Sequence, residues 1–182
     1  MKYPLMVLAL IALLSGPALA QRNIDGSYVE LLDRDPLDFV PGDSYVCDFY
    51  VYNGSADVEW IMEVSFLFPD CFQVNSGWYV PDSGASGPWS FQFDTFGSPN
   101  NGALFYDANG GYGEIYAGEG GHFYVEVLCG GECECGEETI QWFLQGDGYG
   151  SDPHDLTDFI DITVCDNTSM QQSNWSSIKS LY

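Results

Sequence analysis

The chain has 182 residues, with 4 Lys and Arg against 27 Asp and Glu, and a formal charge of -23. No Lys or Arg lies between Asp35 and Ile178, so that stretch cannot neutralise phosphates, and nucleic-acid binding is excluded on electrostatics. Docking on an anionic membrane through a basic patch is excluded for the same reason.

The first twenty residues read as a secretory signal peptide. Lys2 supplies a positive start, Leu5 to Leu14 an apolar run, and Ala18-Leu19-Ala20 a cleavage motif. The run is too short for a bilayer span, which needs about 20 apolar residues. Cleavage would start the mature chain at Gln21 and remove Lys2 but no acid, leaving a charge of -24. The expected location is extracellular, either secreted or at the cell surface. Residues 21–165 are expected to form one domain, and residues 166–182 a polar linker and short tail. With 12 Tyr, 12 Phe and 5 Trp, the chain can bury a core despite its acidity.

From Tyr28 to Cys165 the period is two. Tyr45–Tyr52 alternates with Tyr45, Cys47, Phe49 and Val51 on one face. Trp60–Phe68 puts Trp60, Met62, Val64, Phe66 and Phe68 on one face. His122–Leu128, Thr139–Leu144 and Phe159–Val164 follow. Alternation of β-branched and aromatic residues predicts strands. Weaker strands are predicted at Tyr28–Leu32, Pro88–Asp94, Ala103–Tyr106 and Gly113–Tyr116. Turn clusters separate them: Pro41-Gly42-Asp43, Asn53-Gly54-Ser55, Pro81-Asp82-Ser83-Gly84 and Ser98-Pro99-Asn100-Asn101-Gly102. Many short strands at this spacing predict an all-β, antiparallel sandwich.

Pro41-Gly42-Asp43-Ser44-Tyr45, the strand ending at Asn53, Phe68-Pro69, and Gly113-Glu114-Ile115-Tyr116 followed by Phe123-Tyr124-Val125 make a pattern of turns and strands. It resembles bacterial extracellular immunoglobulin-like modules of the CARDB and BACON type. The resemblance implies a module of secreted or cell-surface proteins and says little about activity, because such folds host many functions.

Six cysteines, Cys47, Cys71, Cys129, Cys133, Cys135 and Cys165, form an even set in a chain read as exported, which predicts disulfides. Strands running alternately up and down would gather all six at one pole. The favoured pairing is Cys47–Cys71, with the other four forming two more bridges, each worth about 2–4 kcal/mol. The rival is a metal held by Cys129, Cys133, Cys135 and Cys165, four thiolates by count but not at familiar zinc spacing.

The opposite pole carries the loop Gly146–Asp155. Asp147, Asp152 and Asp155, with Asp57 from another loop, are candidate oxygen ligands for Ca²⁺. The alternative is an ordinary acidic turn. Trp78, Tyr79 and Trp89 are candidate ligand-binding aromatics, able to stack on sugar rings if exposed. If they are buried, they only cover the core. Asn53-Gly54-Ser55 matches a glycosylation sequon. No hydrolase or metalloprotease motif is present, and 27 acids make any carboxylate pair uninformative. The function expected is a non-catalytic module for adhesion, assembly or structure, with a calcium-dependent carbohydrate-binding module as the alternative. No cofactor is expected beyond Ca²⁺. The expected partners are an extracellular protein, a glycan, or a second copy of the chain.

Overall fold

The computed structural model describes residues 23–32, 38–56, 58–82, 89–94, 100–108, 111, 113–150 and 152–165. The residues read as a signal peptide, 1–20, and as a linker and tail, 166–182, lie outside these residues. Ten strands follow in chain order: β1 Tyr28–Leu31, β2 Asp38–Phe39, β3 Ser44–Tyr52, β4 Ile61–Leu67, β5 Phe72–Pro81, β6 Ser90–Asp94, β7 Gly102–Tyr106, β8 Gly120–Cys129, β9 Gly136–Gly146 and β10 Asp155–Val164. They form a sandwich of a four-stranded sheet, β1-β3-β8-β5, and a six-stranded sheet, β2-β10-β9-β4-β7-β6. Every pairing is antiparallel except the short β2 against β10.

Alternation builds the core. In β8, Phe123, Val125, Val127 and Cys129 turn inward and the residues between them outward. In β3, Cys47, Phe49 and Val51 are buried, on the face expected for them. Across the two layers Phe49 stacks on Phe66 with centroids 4.0 Å apart, and Phe105 meets Phe123 edge-on at 5.0 Å. Each such aromatic pair adds about 0.5–1.5 kcal/mol beyond the area it buries.

Three strand expectations need correction. In β4 the register shifts between Ile61 and Glu63. The bulge changes the phase, so Ile61, Val64, Phe66 and Phe68 are buried while Trp60 and Met62 are only half-buried. The segment Phe72–Pro81, where no strand is predicted, is a ten-residue strand. The expected strand at Gly113–Tyr116 is reduced to one bridge, Ile115 against Ile61.

The cysteine pairing also changes. Cys71 is bonded to Cys133, with Cα atoms 5.2 Å apart, and not to Cys47. The register explains this. Cys47 lies opposite Val125, four residues down β8 from Cys129, whereas Cys71 adjoins Phe72, which lies opposite Cys129. At about 3.4 Å per residue, Cys47 is more than 10 Å from the pole along the strand. Cys71, Cys129, Cys133, Cys135 and Cys165 do share that pole. Cys47 and Cys129 are fully buried thiols.

Candidate functional site

The pairings set the outer face of the four-stranded sheet. Tyr28 stands opposite Tyr52, Tyr50 opposite His122, and Tyr124 opposite both Asp48 and Trp78. Directly opposed residues hold their Cβ atoms about 4.5–5.5 Å apart, so the rings form one continuous row across four strands. Centroid separations are 5.2 Å for Trp78–Tyr124, 6.1 Å for Tyr124–His122, 5.2 Å for His122–Tyr50, 6.4 Å for Tyr50–Tyr28 and 5.4 Å for Tyr28–Tyr52. Trp78, Val80, Val46 and Tyr28 are each 43–44% exposed, so the face is apolar as well as aromatic.

Carboxylates are set among the rings. His122 Nδ1 lies 2.9 Å from Asp48 Oδ1, and His122 Nε2 lies 3.6 Å from Asp82 Oδ1. Tyr50 donates its hydroxyl hydrogen to Asp82 Oδ2 at 3.0 Å, and Ser76 donates to Glu126 Oε2 at 2.8 Å. Asp48 is almost buried on this outer face, which is tolerable because His122 partners it. Burial and the Asp82 carboxylate push the Tyr50 phenol up to about 12. Gly120 makes room for that phenol, since a Cβ there would run into the Tyr50 hydroxyl.

Of the three predicted aromatics, only Trp78 reaches the face. Tyr79 and Trp89 turn inward and pack on Phe123 at 4.8 and 5.2 Å. Burial pushes the Tyr79 phenol upward. The cause is strand parity: next to an outward Trp78, Tyr79 must point in. The three rings are therefore not one exposed platform.

The candidate oxygen ligands of the acidic loop stand in different settings. Asp147 Oδ1 accepts from the Tyr149 amide at 2.8 Å in a local turn, Asp152 is almost fully exposed, and Asp155 opens β10 at the surface. Asp57 lies outside the described residues. Among the described residues no group of three or more His, Cys, Asp or Glu side chains is placed to hold a metal ion. That also removes the four-thiolate zinc set, since Cys133 is bonded to Cys71.

The sequence reading missed Glu59. It is fully buried, with Oε1 2.9 Å from His154 Nδ1, while His154 Nε2 lies 3.6 Å from Asp152 Oδ1. Burial raises Glu59 above its ordinary value, and the hydrogen bond to Glu59 raises His154. The pair ties the Gly146–His154 loop to the segment leading into β4. Backbone bonds from Asp147 to Trp60 and from Gly146 to His154 support it. Asn53 was singled out as a sequon, but it is fully buried. Its amide donates to the Glu59 and Ile115 carbonyls at 2.8 Å each, which leaves no hydrogen free for a glycan.

No family model matches the chain, and no curated protein matches it. Solved structures do. A cohesin module from a family 33 glycoside hydrolase of Clostridium perfringens aligns with TM-score 0.50 at 14% identity, over 81% of this chain and 99% of that one. The major pilin subunit of Bacillus cereus aligns with TM-score 0.52 at 8% identity, over 77% of this chain and 40% of that one. A putative membrane-anchored protein of Corynebacterium diphtheriae aligns with TM-score 0.51 at 12% identity, over 76% and 34%. At these identities the likeness shows a shared bacterial β-sandwich fold.

Proposed function

We propose that the chain is a non-catalytic secreted or cell-surface module for assembly or adhesion, docking a protein partner through the outer face of the four-stranded sheet. The observation that carries the reading is the row of rings from Trp78 to Tyr52, flanked by exposed Val46 and Val80. Exposed aromatic and apolar side chains grouped on one face mark interaction sites. The charged groups on the same face are acids, Glu30, Asp48, Asp82 and Glu126, with His122 among them. A partner complementary to it is apolar at its centre and basic at its rim. A second copy of this acidic chain would meet like charge.

Cohesin and pilin neighbours support assembly as the general class of activity. The carbohydrate reading is weaker on geometry. Of the three aromatics that could stack on a sugar, Tyr79 and Trp89 pack inward on Phe123, and one face of Trp78 is taken up by Tyr124, with planes 13° apart.

The test is a panel of individually displayed exported proteins and a glycan array, both probed with the mature chain, with and without Ca²⁺. The expected result is a protein ligand whose affinity falls with salt and drops at least about tenfold in Trp78→Ala. A glycan signal lost in Trp78→Ala, without a protein ligand, would replace this reading with the carbohydrate one. Self-association on sedimentation that Trp78→Ala abolishes would make the partner a second copy.

A further inference from the structure

The register of β9 against β10 runs without a break from Asp155 opposite Gln145 to Val164 opposite Gly136. One step further, Cys165 stands opposite Cys135. The Cys165 amide donates to the Phe39 carbonyl of β2, at 2.8 Å, so it points away from β9. Cys135 and Cys165 therefore occupy a non-hydrogen-bonded antiparallel position, where Cα atoms approach to about 4.5 Å and side chains are closest. That separation falls inside the disulfide range of about 4.4–6.8 Å. Strand parity turns both side chains outward, because Ile140, Leu144, Ile162 and Val164 on the same strands point in. Cys135 is exposed and Cys165 half-buried, and their thiols are in hydrogen-bond contact.

We propose that Cys135 and Cys165 are a second disulfide site, cross-strand and solvent-accessible, closed by exchange with an external disulfide. The Cys135 thiolate attacks one sulfur of that disulfide, and the other sulfur leaves as a thiolate. The Cys165 thiolate then attacks the mixed disulfide at the Cys135 sulfur and expels the second external thiolate. Two protein thiols are oxidised and one external disulfide is reduced to two thiols, the two cysteine protons passing by way of solvent to the departing thiolates. The order follows from access: Cys135 is exposed, whereas burial and the neighbouring thiol push Cys165 up. Cys47 and Cys129 take no part. Both are fully buried, and burial pushes Cys129 up to about 11, which leaves little thiolate.

The full mature chain is equilibrated with oxidised glutathione, quenched in acid, denatured, alkylated and mapped by mass spectrometry without reduction. The expected map holds a Cys135–Cys165 linked peptide, an intact Cys71–Cys133 link, and alkyl groups only on Cys47 and Cys129. Reduction then adds four hydrogens, two per bridge. Cys165→Ser is expected to stop at the mixed disulfide, with one glutathione on Cys135. Alkylated Cys135 and Cys165 beside an intact Cys71–Cys133 link overturn the proposal, as does Cys135 bonded to any cysteine other than Cys165.

Discussion

Asn53 offers the sharpest test of how the pole beyond β3 is held together. Its side chain makes four contacts: donation to the carbonyls of Glu59 and Ile115 at 2.8 Å each, and acceptance from the Ser55 amide at 3.0 Å and the Ser27 hydroxyl at 3.4 Å. Three separate segments thus converge on one amide that water does not reach. Asn53→Ala strands the Glu59 carbonyl and takes one of two donors from the Ile115 carbonyl, which keeps the Ile61 amide at 3.0 Å. An orphaned buried polar group costs about 1–3 kcal/mol and the lost bond to Ile115 about 0.5–1.5 kcal/mol, roughly 1.5–4.5 kcal/mol together. That is a large share of a total stability of about 5–15 kcal/mol. With a urea slope of about 2 kcal/mol/M, a loss of about 3 kcal/mol lowers the unfolding midpoint by about 1.5 M.

Asn53→Asp sharpens the test, because it keeps shape and acceptors and removes only the donors. At neutral pH its carboxylate faces two carbonyl oxygens, so it is expected to be less stable than Asn53→Ala. Acidification returns one O–H donor and narrows the gap. Urea midpoints for the parent and both variants at pH 7 and pH 4 measure this. A midpoint for Asn53→Ala within about 0.3 M of the parent, well under 1 kcal/mol at that slope, would refute the argument.

Glu59 and His154 set a pH dependence. Both are raised, Glu59 from 4.5 by burial and His154 from 6.5 by its bond to Glu59. The native state therefore binds more protons than the unfolded chain across that window. The pair's contribution is complete below about pH 4.5 and falls as pH rises through 4.5 and on past 6.5. In urea titrations from pH 4 to 8.5, Glu59→Gln should show less of this fall than the parent, and His154→Gln should lose the part above pH 6.5. Gly54→Ala should destabilise more than Gly42→Ala by circular dichroism melting. A Cβ on Gly54 would land on the Gly26 carbonyl and Ser27 amide, backbone that cannot turn aside. Gly42, at φ 92°, has open space and costs about 1–3 kcal/mol in backbone strain alone. Phe66→Ala, which empties a buried site against Phe49, Phe105 and Phe123, should cost about 3–5 kcal/mol. Trp78→Ala should cost under about 1 kcal/mol, because its ring is exposed. A core-sized loss in Trp78→Ala would remove the reason to regard that face as a binding surface.

The sandwich was legible wherever alternation ran unbroken. β3 and β8 show this, with Phe49 and Phe123 inside and Tyr50 and His122 outside. Alternation failed where the chain bulges. In β5 Phe72 and Val74 point inward, the register shifts between Val74 and Ser76, and from there Gly77 and Tyr79 take the inner side. No single phase fits the ten residues, and the inner position at Gly77 carries no side chain. Phe91 and Phe105 fill that space instead; a Cβ at Gly77 would come within 2.6–2.8 Å of their rings. An apparently irregular segment was therefore a regular strand with a changed phase, and it carries Trp78. The sequence did mark the cysteine pole and the strands that meet there. It could not show the partner of Cys71, because that depends on β5, the edge strand of the same sheet, lying beside β8. Glu59 and Asp48 were hidden among 27 acids, since only their burial distinguishes them.

The charge distribution then bears on what the proposed docking face requires. Among the described residues there is no Lys or Arg, so the only side chains able to carry positive charge there are the two histidines. Each is placed between two carboxylates: His122 between Asp48 and Asp82, and His154 between Glu59 and Asp152. Both are committed to internal partners and have little charge to offer a ligand. Glu30 and Glu126 border the aromatic row, and Asp82 reaches it through Tyr50. Desolvating these acids against an uncharged apolar partner would carry a cost that nothing in the chain offsets. A partner supplying Lys or Arg at the rim would offset it, while the rings of Trp78 and Tyr28 contribute the apolar contact. On this argument affinity falls as salt rises, and removing the acids weakens binding even though each removal makes the face more apolar. Glu126→Gln and Glu30→Gln should therefore slow association and flatten the salt dependence, while Trp78→Ala should speed dissociation. Measured rate constants in which the Glu variants bind faster than the parent would show that the face recognises apolar surface alone.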